Sequence, residues 1–516
     1  MTTTDQVERD GFVVAERPTP GQPRPYEFPA ITSTQLDNGL TVLVADLPGR
    51  PLVSASVVLP VGAVDEPAEE GGAAVLAARA LTEGTERFDA VGLTEASERL
   101  GASLHADAGW DATSVSVDVP TTRLREALDL LAEVLLRPTF PSEEVDRLRD
   151  ERLNDLLQAQ ADPRRRADEA FIETIYAPES PYHRPSGGTR ETVEGLDAGV
   201  LRRAYARTVD PSRATLVVGG DLGGQDVVAL AHELFDGWTA PTSPRGENRI
   251  VDAAATKDRQ IRIVHRPGSV QTEIRIGYPG LPRRVPDFHA ISVMGAILGG
   301  LFNSRLNMQL REAKGYTYGA SAGFDMRRGA GPFSARAAVN TEVTVPAVLD
   351  TLAELERMRD APVELAELTA ARDFLVGVFP LRFETPGAVV GALSGLAIHG
   401  LEVDELIDYR SRIEAVDVDA VAAAAREHLQ IDRAAIVLVG DADAFGPPLE
   451  AAGLGTVVID RDDGPHALAS VPDEMAPAVD EEPDAGPTVG AEELDLPGTA
   501  DEPVTAHTSG DDPGVR

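Results

Sequence analysis

An arginine and a tyrosine stand seven positions apart, on either side of a glycine, in the second half of the chain: Arg311, Gly315 and Tyr318. A guanidinium and a phenol hydroxyl are both hydrogen-bond donors, and both suit a peptide carbonyl or the oxyanion that develops from it. Gly315 can turn the chain from a helix into a strand, so that both side chains reach one point. The spacing therefore predicts a site that binds the backbone of a peptide.

Both residues also have ordinary roles, which the sequence leaves open. Arg311 can cap the C-terminus of its own helix, and Tyr318 can pack in a half-buried strand, Tyr316–Ser321. The glycine pair before the helix, Gly299 and Gly300, is a weak signal, because paired glycines more often make turns. Considered alone, the arginine and the tyrosine favour these ordinary roles.

A second stretch of the chain, Gly71–Thr85, lies between glycines and contains no histidine. A catalytic zinc site needs three protein ligands, an open position for water and a carboxylate base, and two histidines at i and i+4 commonly supply two ligands from one helical face. The histidines of this chain lie far apart, with no two inside one helical turn: His105, His183, His232, His265, His289, His399, His428, His466 and His507. A paired-imidazole site on one helix is excluded, and zinc held by distant histidines is a minor alternative.

A long-offset repeat indicates which elements position these residues. Thr215–Asp221 is similar to Ala435–Asp441, and Ala108–Asp111 is similar to Ala322–Asp325. In each half, two strands, a helix, a hairpin and a long amphipathic helix follow one another. The pattern predicts the α+β class, with two homologous α/β units that each hold a mixed, largely antiparallel sheet packed by helices.

The composition along the chain predicts the boundaries of these units. The final stretch is rich in Pro, Ala, Gly and acidic residues, and it cannot bury enough apolar surface to offset the entropy of ordering. The predicted segments are an extended N-terminal arm (1–30), a first α+β unit (31–240), a linker (241–258), a second α+β unit (259–462) and a disordered acidic tail (463–516).

The charge of the chain excludes several classes of partner. The formal net charge is -38, so the surface repels nucleic-acid backbones and anionic membranes. The chain contains no cysteine, no apolar run of the ~20 residues that a membrane span needs, and no basic and apolar regions of a secretory signal at its start. We expect no nucleic-acid partner, no membrane association and a cytoplasmic location.

The stretch without histidine resembles the metal helix of the insulinase/pitrilysin-type zinc peptidases, especially their mitochondrial-processing-peptidase-like branch. In that family the helix reads Gly-x-x-His-x-x-Glu-His and ends in Gly-Thr. Gly72 and the Gly84–Thr85 ending match this form. The two histidine positions fall on Val75 and Arg79, and the position of the general base falls on Ala78. The resemblance covers about residues 35–445.

The resemblance implies that the metal site is degenerate. It places the third ligand, a glutamate in the family, near Asp155. Valine cannot bind a metal, alanine has no acid–base group, and the guanidinium of Arg79 adds positive charge where a dication would lie. Arg79 has an ordinary alternative role, an ion pair with Asp155 or Glu83. We therefore expect no catalytic residue and no metal in this chain.

The resemblance also favours a substrate-binding role for Arg311 and Tyr318 over their ordinary roles. Family members use an arginine and a tyrosine seven positions apart to bind the substrate backbone, as Arg311 and Tyr318 would do here. Ser304–Leu306 and Gly315 match the surrounding pattern. His183 lies in a loop similar to another family segment, and we assign it a structural role.

Together these residues predict a non-catalytic, substrate-binding subunit of a heterodimeric zinc metallopeptidase that cleaves peptides. Its partner would be a zinc-bearing paralogous subunit, so the zinc is expected in the partner and activity only in the pair. Two alternatives stay open. One is a structural subunit like the core proteins of respiratory complexes, and the other is a peptide-binding scaffold with no proteolytic role.

Overall fold

The computed structural model describes residues 7–9, 12–14, 25–241, 254–255 and 258–461. The predicted acidic tail lies outside these residues, as do most of the predicted N-terminal arm and most of the predicted linker. Among the described residues, no helix is both long and apolar enough to cross a membrane.

The strands form one short ribbon and two large sheets. In chain order they are β1 (Val7–Arg9), β2 (Phe12–Val14), β3 (Ile31–Gln35), β4 (Thr41–Asp46), β5 (Leu52–Leu59), β6 (Ser103–Ala108), β7 (Thr113–Pro120), β8 (Thr215–Gly220), β9 (Gln260–His265), β10 (Gln271–Pro279), β11 (Ala320–Phe324), β12 (Pro332–Asn340), β13 (Ala435–Gly440) and β14 (Thr456–Asp460). The first two pair with each other, and each large sheet contains six of the others.

The helices cover these sheets and include two π-helical segments. The α-helices are α1 (Ala73–Ala80), α2 (Ala90–Leu100), α3 (Leu124–Leu136), α4 (Ser142–Ala161), α5 (Pro163–Ile175), α6 (Arg190–Glu194), α7 (Ala198–Ala206), α8 (Val227–Phe235), α9 (Phe288–Gly295), α10 (Thr344–Asp360), α11 (Leu365–Val378), α12 (Pro386–His399), α13 (Asp404–Ile407), α14 (Tyr409–Glu414), α15 (Val418–His428) and α16 (Ala442–Ala451). The π-helical segments are π1 (Ala296–Gly300) and π2 (Asn307–Ala313). Short 3₁₀ turns connect several of these elements.

The two large sheets have the same internal order. The first is β3-β4-β8-β5-β7-β6 and the second is β14-β9-β13-β10-β12-β11. Corresponding neighbours run in the same sense, with a parallel pair beside three antiparallel pairs, except at one edge. There β3 lies antiparallel to β4, whereas β14 lies parallel to β9. The prediction of two homologous α+β units with mixed, largely antiparallel sheets is confirmed.

One helix of each unit packs on the sheet of the other unit. Helix α12 of the second unit packs on β5 and β8, and α5 of the first unit packs on β10 and β13. The central strand β5 is buried along nearly its whole length, because helices cover both of its faces. Its run of small and apolar residues, Val53–Leu59, fits this double burial. Charged pairs accompany the exchange: Arg275 bonds Asp168 at 2.6 Å across the units.

The turn between β11 and β12 enters the first unit. The Arg327 guanidinium lies over the rings of Trp110 and Tyr182, 4.6 and 4.9 Å from their centroids. The backbone N–H of Arg328 donates to Asp111 at 2.8 Å, and the backbone N–H of Gly329 donates to the Tyr182 hydroxyl at 3.1 Å. This turn fixes the second unit against the first through a buried cation and two rings.

We expect Arg327→Met to lower the free energy of unfolding by about 3 kcal/mol. The substitution removes a buried cation that contacts two rings and Asp325, and it leaves the Asp325 carboxylate without this partner. Chemical denaturation of the full chain measures the change. Arg336→Met, on the exposed face of β12, is the matched control and should change little. Equal stability of both variants and wild type would show that the Arg327 contacts do not hold the units together.

Candidate peptide-binding site and degenerate metal site

Helix α1 lies where the sequence predicts the degenerate metal site. Its N-terminus is held by Glu66, whose carboxylate accepts hydrogen bonds from the backbone N–H groups of Gly72 and Ala74 at 3.0 and 2.5 Å. The guanidinium of Arg184 lies 3.1 Å from the same carboxylate. A carboxylate at a helix N-terminus satisfies unpaired N–H groups and complements the helix dipole. Glu66 precedes the helix by several residues and is not predicted from the sequence.

Burial raises the pKa of Glu66 to about 7, although Arg184 and the two N–H groups oppose this shift. The carboxyl of the unfolded chain ionises near its ordinary value of 4.5. Between these two values the folded protein therefore binds more protons than the unfolded chain, so stability falls as the pH rises. We expect wild type to lose up to about 3 kcal/mol relative to Glu66→Gln across this window.

Denaturant titrations over this pH range measure that difference. Glu69→Gln, on the neighbouring turn, retains Glu66 and should keep the wild-type pH dependence. A constant difference in unfolding free energy between wild type and Glu66→Gln would contradict a raised pKa of Glu66.

A cavity of about 30 Å³ adjoins Glu66 and has room for one or two water molecules, not for a peptide side chain.

The degenerate positions lie on two helices that pack together. Val75 and Arg79, at i and i+4 of α1, are half-buried, and Ala78 is fully buried between them in sequence. Helix α4, which carries Asp155, packs against α1. The half-buried Asp155 is therefore on a helix next to the two former ligand positions.

Arginines surround Asp155. Its carboxylate pairs with Arg152, and Arg165 donates to it at 2.8 Å. Burial would raise the pKa of Asp155, but the Arg165 hydrogen bond and the charges of Arg152 and Arg79 lower it below its ordinary value. Arg79 is thus within electrostatic reach of Asp155, whereas Glu83 pairs with Arg147 at 2.8 Å. Both partners considered for Arg79 are therefore engaged by other arginines, and the charge of Arg79 also acts on Asp155.

Two other clusters within the described residues have metal-ligating groups close together: His265, Asp441 and Asp443, and Asp287, Glu427 and His428. Each contains a single histidine. In the first, the Nδ1 atom of His265 accepts the backbone N–H of Ala442 at 3.1 Å. The last residue of β4, Asp46, accepts the N–H of Leu222 in the corresponding place of the first unit. His265 therefore has a structural equivalent that closes the same turn, and we assign it no metal.

The predicted donor pair lies on π2 and on the bend that follows it. Gly315 has a φ of +65°, and its N–H donates to the carbonyl of Arg311 at 3.0 Å, so the glycine ends the helix in the left-handed region as predicted. Gly299 of π1 lies against β11 so closely that a Cβ would lie 2.1 Å from the nitrogen of Ala322. Gly299 thus permits a close approach and does more than form a turn.

Arg311 lies in the last turn of π2, as its ordinary alternative predicts, whereas Tyr318 departs from its alternative. The guanidinium of Arg311 lies 4.4 Å from the ring centroid of Phe302, which is itself 69% exposed. Tyr318 is 95% exposed and lies in the bend before β11, which begins at Ala320. The alternative that Tyr318 packs in a half-buried strand is wrong. A side chain this exposed has its hydroxyl available to a ligand.

The segment before π2 is fixed by a buried ion pair. Arg305 donates from Nε and Nη2 to the two carboxylate oxygens of Glu367 on α11, both at 2.8 Å. Ser304, which precedes it, is buried. The predicted pattern Ser304–Leu306 therefore anchors the candidate site to the helical layer. His183 interacts through Nδ1 with the carbonyl of Tyr176 at 2.9 Å, a structural contact.

Two family profiles match the chain. The profile described as "Insulinase (Peptidase family M16)" matches residues 41–185, and the one described as "Peptidase M16 inactive domain" matches residues 195–375. The first covers α1 and the degenerate metal positions. The second covers Arg311 and Tyr318.

Some of the similar curated proteins are named zinc proteases, and another is named a non-peptidase homolog. An uncharacterized zinc protease of Streptomyces coelicolor is 25% identical over 77% of this chain and 87% of its own length. One of Mycobacterium tuberculosis is 26% identical over 78% of this chain and 92% of its own length. The non-peptidase homolog YmxG of Helicobacter pylori is 24% identical over 61% of this chain and 72% of its own length.

Solved structures share the fold. A protease from Helicobacter pylori superimposes with a TM-score of 0.75 at 19% identity, over 80% of this chain and 100% of that chain. A peptidase M16 inactive domain from Pseudomonas fluorescens gives a TM-score of 0.72 at 24% identity, over 80% of this chain and 98% of that chain.

Proposed function

Because the chain belongs to the insulinase (M16) peptidase family, we propose that it is the non-catalytic, substrate-binding subunit of a heterodimeric zinc metallopeptidase. A paralogous partner would supply the zinc and the general base, and this chain would supply Arg311 and Tyr318. The two subunits would act on peptides, and the pair would work in the cytoplasm. One observation carries the proposal: the metal positions are lost, whereas the donor pair is present and accessible.

The lost positions argue for a division of labour. Val75 and Ala78 have no metal-binding or acid–base group, and Asp155 is engaged by arginine side chains. A chain with these residues cannot activate water by the family mechanism. The accessible hydroxyl of Tyr318 and the guanidinium of Arg311 would still bind a peptide carbonyl.

An exposed sheet edge supports peptide binding. Strand β6 lies at the edge of the first sheet, next to α1. Its residues Ser103, His105 and Asp107 are exposed, and the residues between them are half-buried. An extended peptide can add to such an edge through backbone hydrogen bonds, with alternate side chains toward solvent. The proposed substrate is accordingly an extended, unfolded peptide.

The partnership is tested by co-purification with a zinc-bearing paralogue and assay of the complex on oxidised insulin B chain. We expect cleavage by the pair and none by this chain alone. A structural core-type subunit, the second candidate, would form the complex but would be indifferent to Arg311→Ala and Tyr318→Phe. A peptide-binding scaffold would also bind the peptide, but it would add nothing to the partner's rate.

A further inference from the structure

Asn307 is a buried hydrogen-bond hub at the start of π2. Its Nδ2 donates to the carbonyl of Leu301 at 3.2 Å and to the Ser304 hydroxyl at 3.3 Å. Its Oδ1 accepts the backbone N–H of Ala320 at 2.8 Å. The side chain is 9% exposed. One amide therefore joins the loop before π2, π2 itself and the first residue of β11.

These three segments carry the parts of the proposed binding site. The loop carries Phe302, whose ring lies under the guanidinium of Arg311 on π2. Tyr318 lies two residues before the Ala320 N–H that Asn307 binds. Asn307 is thus connected to the arginine through the ring of the loop and to the tyrosine through the start of the strand.

An asparagine is needed at this position because one side chain must both donate and accept. An ionised aspartate would accept from Ala320 but could not donate to Leu301, and an apolar residue would leave both backbone groups without this partner. The π-helical turn places the hub and the arginine on one short segment, and π-helical turns occur frequently at functional sites.

We propose that Asn307 is a positioning residue that sets Arg311 and Tyr318 at the separation a peptide backbone requires. The inference rests on the proposed peptide-binding function of the pair. Asn307 itself is buried beneath the site and acts through the two donors.

A double-mutant cycle on the full chain tests this role, with binding of dye-labelled oxidised insulin B chain measured by fluorescence anisotropy. We expect Asn307→Ala to weaken binding about tenfold in the wild-type background. In the Arg311→Ala/Tyr318→Phe background it should weaken binding less than about twofold, because its effect passes through those two residues. Equal losses in both backgrounds would overturn the proposal.

Asn307→Asp is a second variant that we expect to fold, because it keeps the hydrogen bond from the backbone N–H of Ala320. Its peptide affinity should recover as the pH falls, when the protonated carboxyl regains a donor, whereas wild type should show no such recovery. A pH profile identical to that of wild type would count against the proposal. Thr351→Val removes a buried hydroxyl that bonds Ala347 on α10, and this control should lower stability without changing affinity.

Different results would overturn the proposed function and the positioning role of Asn307. If Arg311→Ala/Tyr318→Phe binds the peptide as tightly as wild type does, the proposed function falls, and the role of Asn307 falls with it. If that double variant binds weakly but the cycle shows no coupling to Asn307, only the positioning role is overturned.

Discussion

Arg311→Ala is expected to weaken the binding of an unfolded peptide by about tenfold to a hundredfold. A hydrogen bond from a charged donor contributes roughly 1.5–3 kcal/mol, and each 1.4 kcal/mol corresponds to about a tenfold change in affinity. Tyr318→Phe removes one neutral donor from a fully accessible position and should cost about twofold to tenfold. Fluorescence anisotropy with labelled oxidised insulin B chain measures both changes.

Matched variants separate these effects from general changes in charge or aromatic content. Arg123→Ala removes an exposed arginine of the first unit that pairs with Glu126. Tyr316→Phe removes a hydroxyl two residues from Tyr318, on a half-buried side chain. Neither should alter affinity by more than about twofold. If all four variants bind alike, the exposed tyrosine and its arginine neighbour are surface residues without a binding role.

The same two substitutions distinguish binding from turnover in the proposed complex. Loss of a donor that contacts the substrate carbonyl equally in the ground and transition states weakens the affinity with little change in kcat. Loss of a donor that binds only the oxyanion lowers kcat. We expect Arg311→Ala to affect both constants, because a guanidinium can serve either state. A complex whose kcat and KM are both unchanged would favour the structural core-type subunit.

The repeated strands were predictable because their backbone pattern is local. The similar segments Thr215–Asp221 and Ala435–Asp441 became β8 and β13, which occupy the same place in the two sheets. The long amphipathic helix predicted in the first half is α3 (Leu124–Leu136), with its apolar stripe buried. In such elements the hydrophobic period alone identifies the buried face.

The contacts between the units could not be read from the sequence. The apolar face of α12 contacts the sheet of the first unit, and nothing in Pro386–His399 indicates which sheet it will cover. The position of Arg327 between Trp110 and Tyr182 depends on the same long-range arrangement. Hydrophobic period identifies which face is buried, but the partner of that face is set by tertiary packing.

The sequence predicts the two donors of the candidate site but not the residues that hold them in place. Arg311 and Tyr318 followed from their chemistry and spacing. Phe302 and Asn307 are not predicted, since a single aromatic residue in a turn, or a single amide residue in a helix, has no signal of its own. The π-helical turn was also unforeseeable, because it has no distinct hydrophobic period in so short a segment.

Three substitutions should give the chain a zinc site: Val75→His, Arg79→His and Asp155→Glu. The first two place imidazoles at i and i+4 of α1, and the third places a longer carboxylate on the adjoining helix α4. Replacing Arg79 also removes a cation that now acts on Asp155. We expect one zinc ion per chain by metal analysis, and a stabilisation of about 2.7 kcal/mol when free zinc exceeds the Kd a hundredfold.

The controls for this design test the division of labour directly. Val75→His alone supplies too few ligands and should retain no zinc after dialysis. Adding Arg165→Gln to the triple variant should tighten zinc binding, because it removes another cation from the carboxylate at position 155. Because Ala78 leaves the general-base position empty, the zinc-loaded triple variant should still not cleave peptides. Stoichiometric zinc binding and peptide cleavage by the wild-type chain alone would contradict the proposal, since the substrate-binding and the catalytic residues would then belong to one molecule.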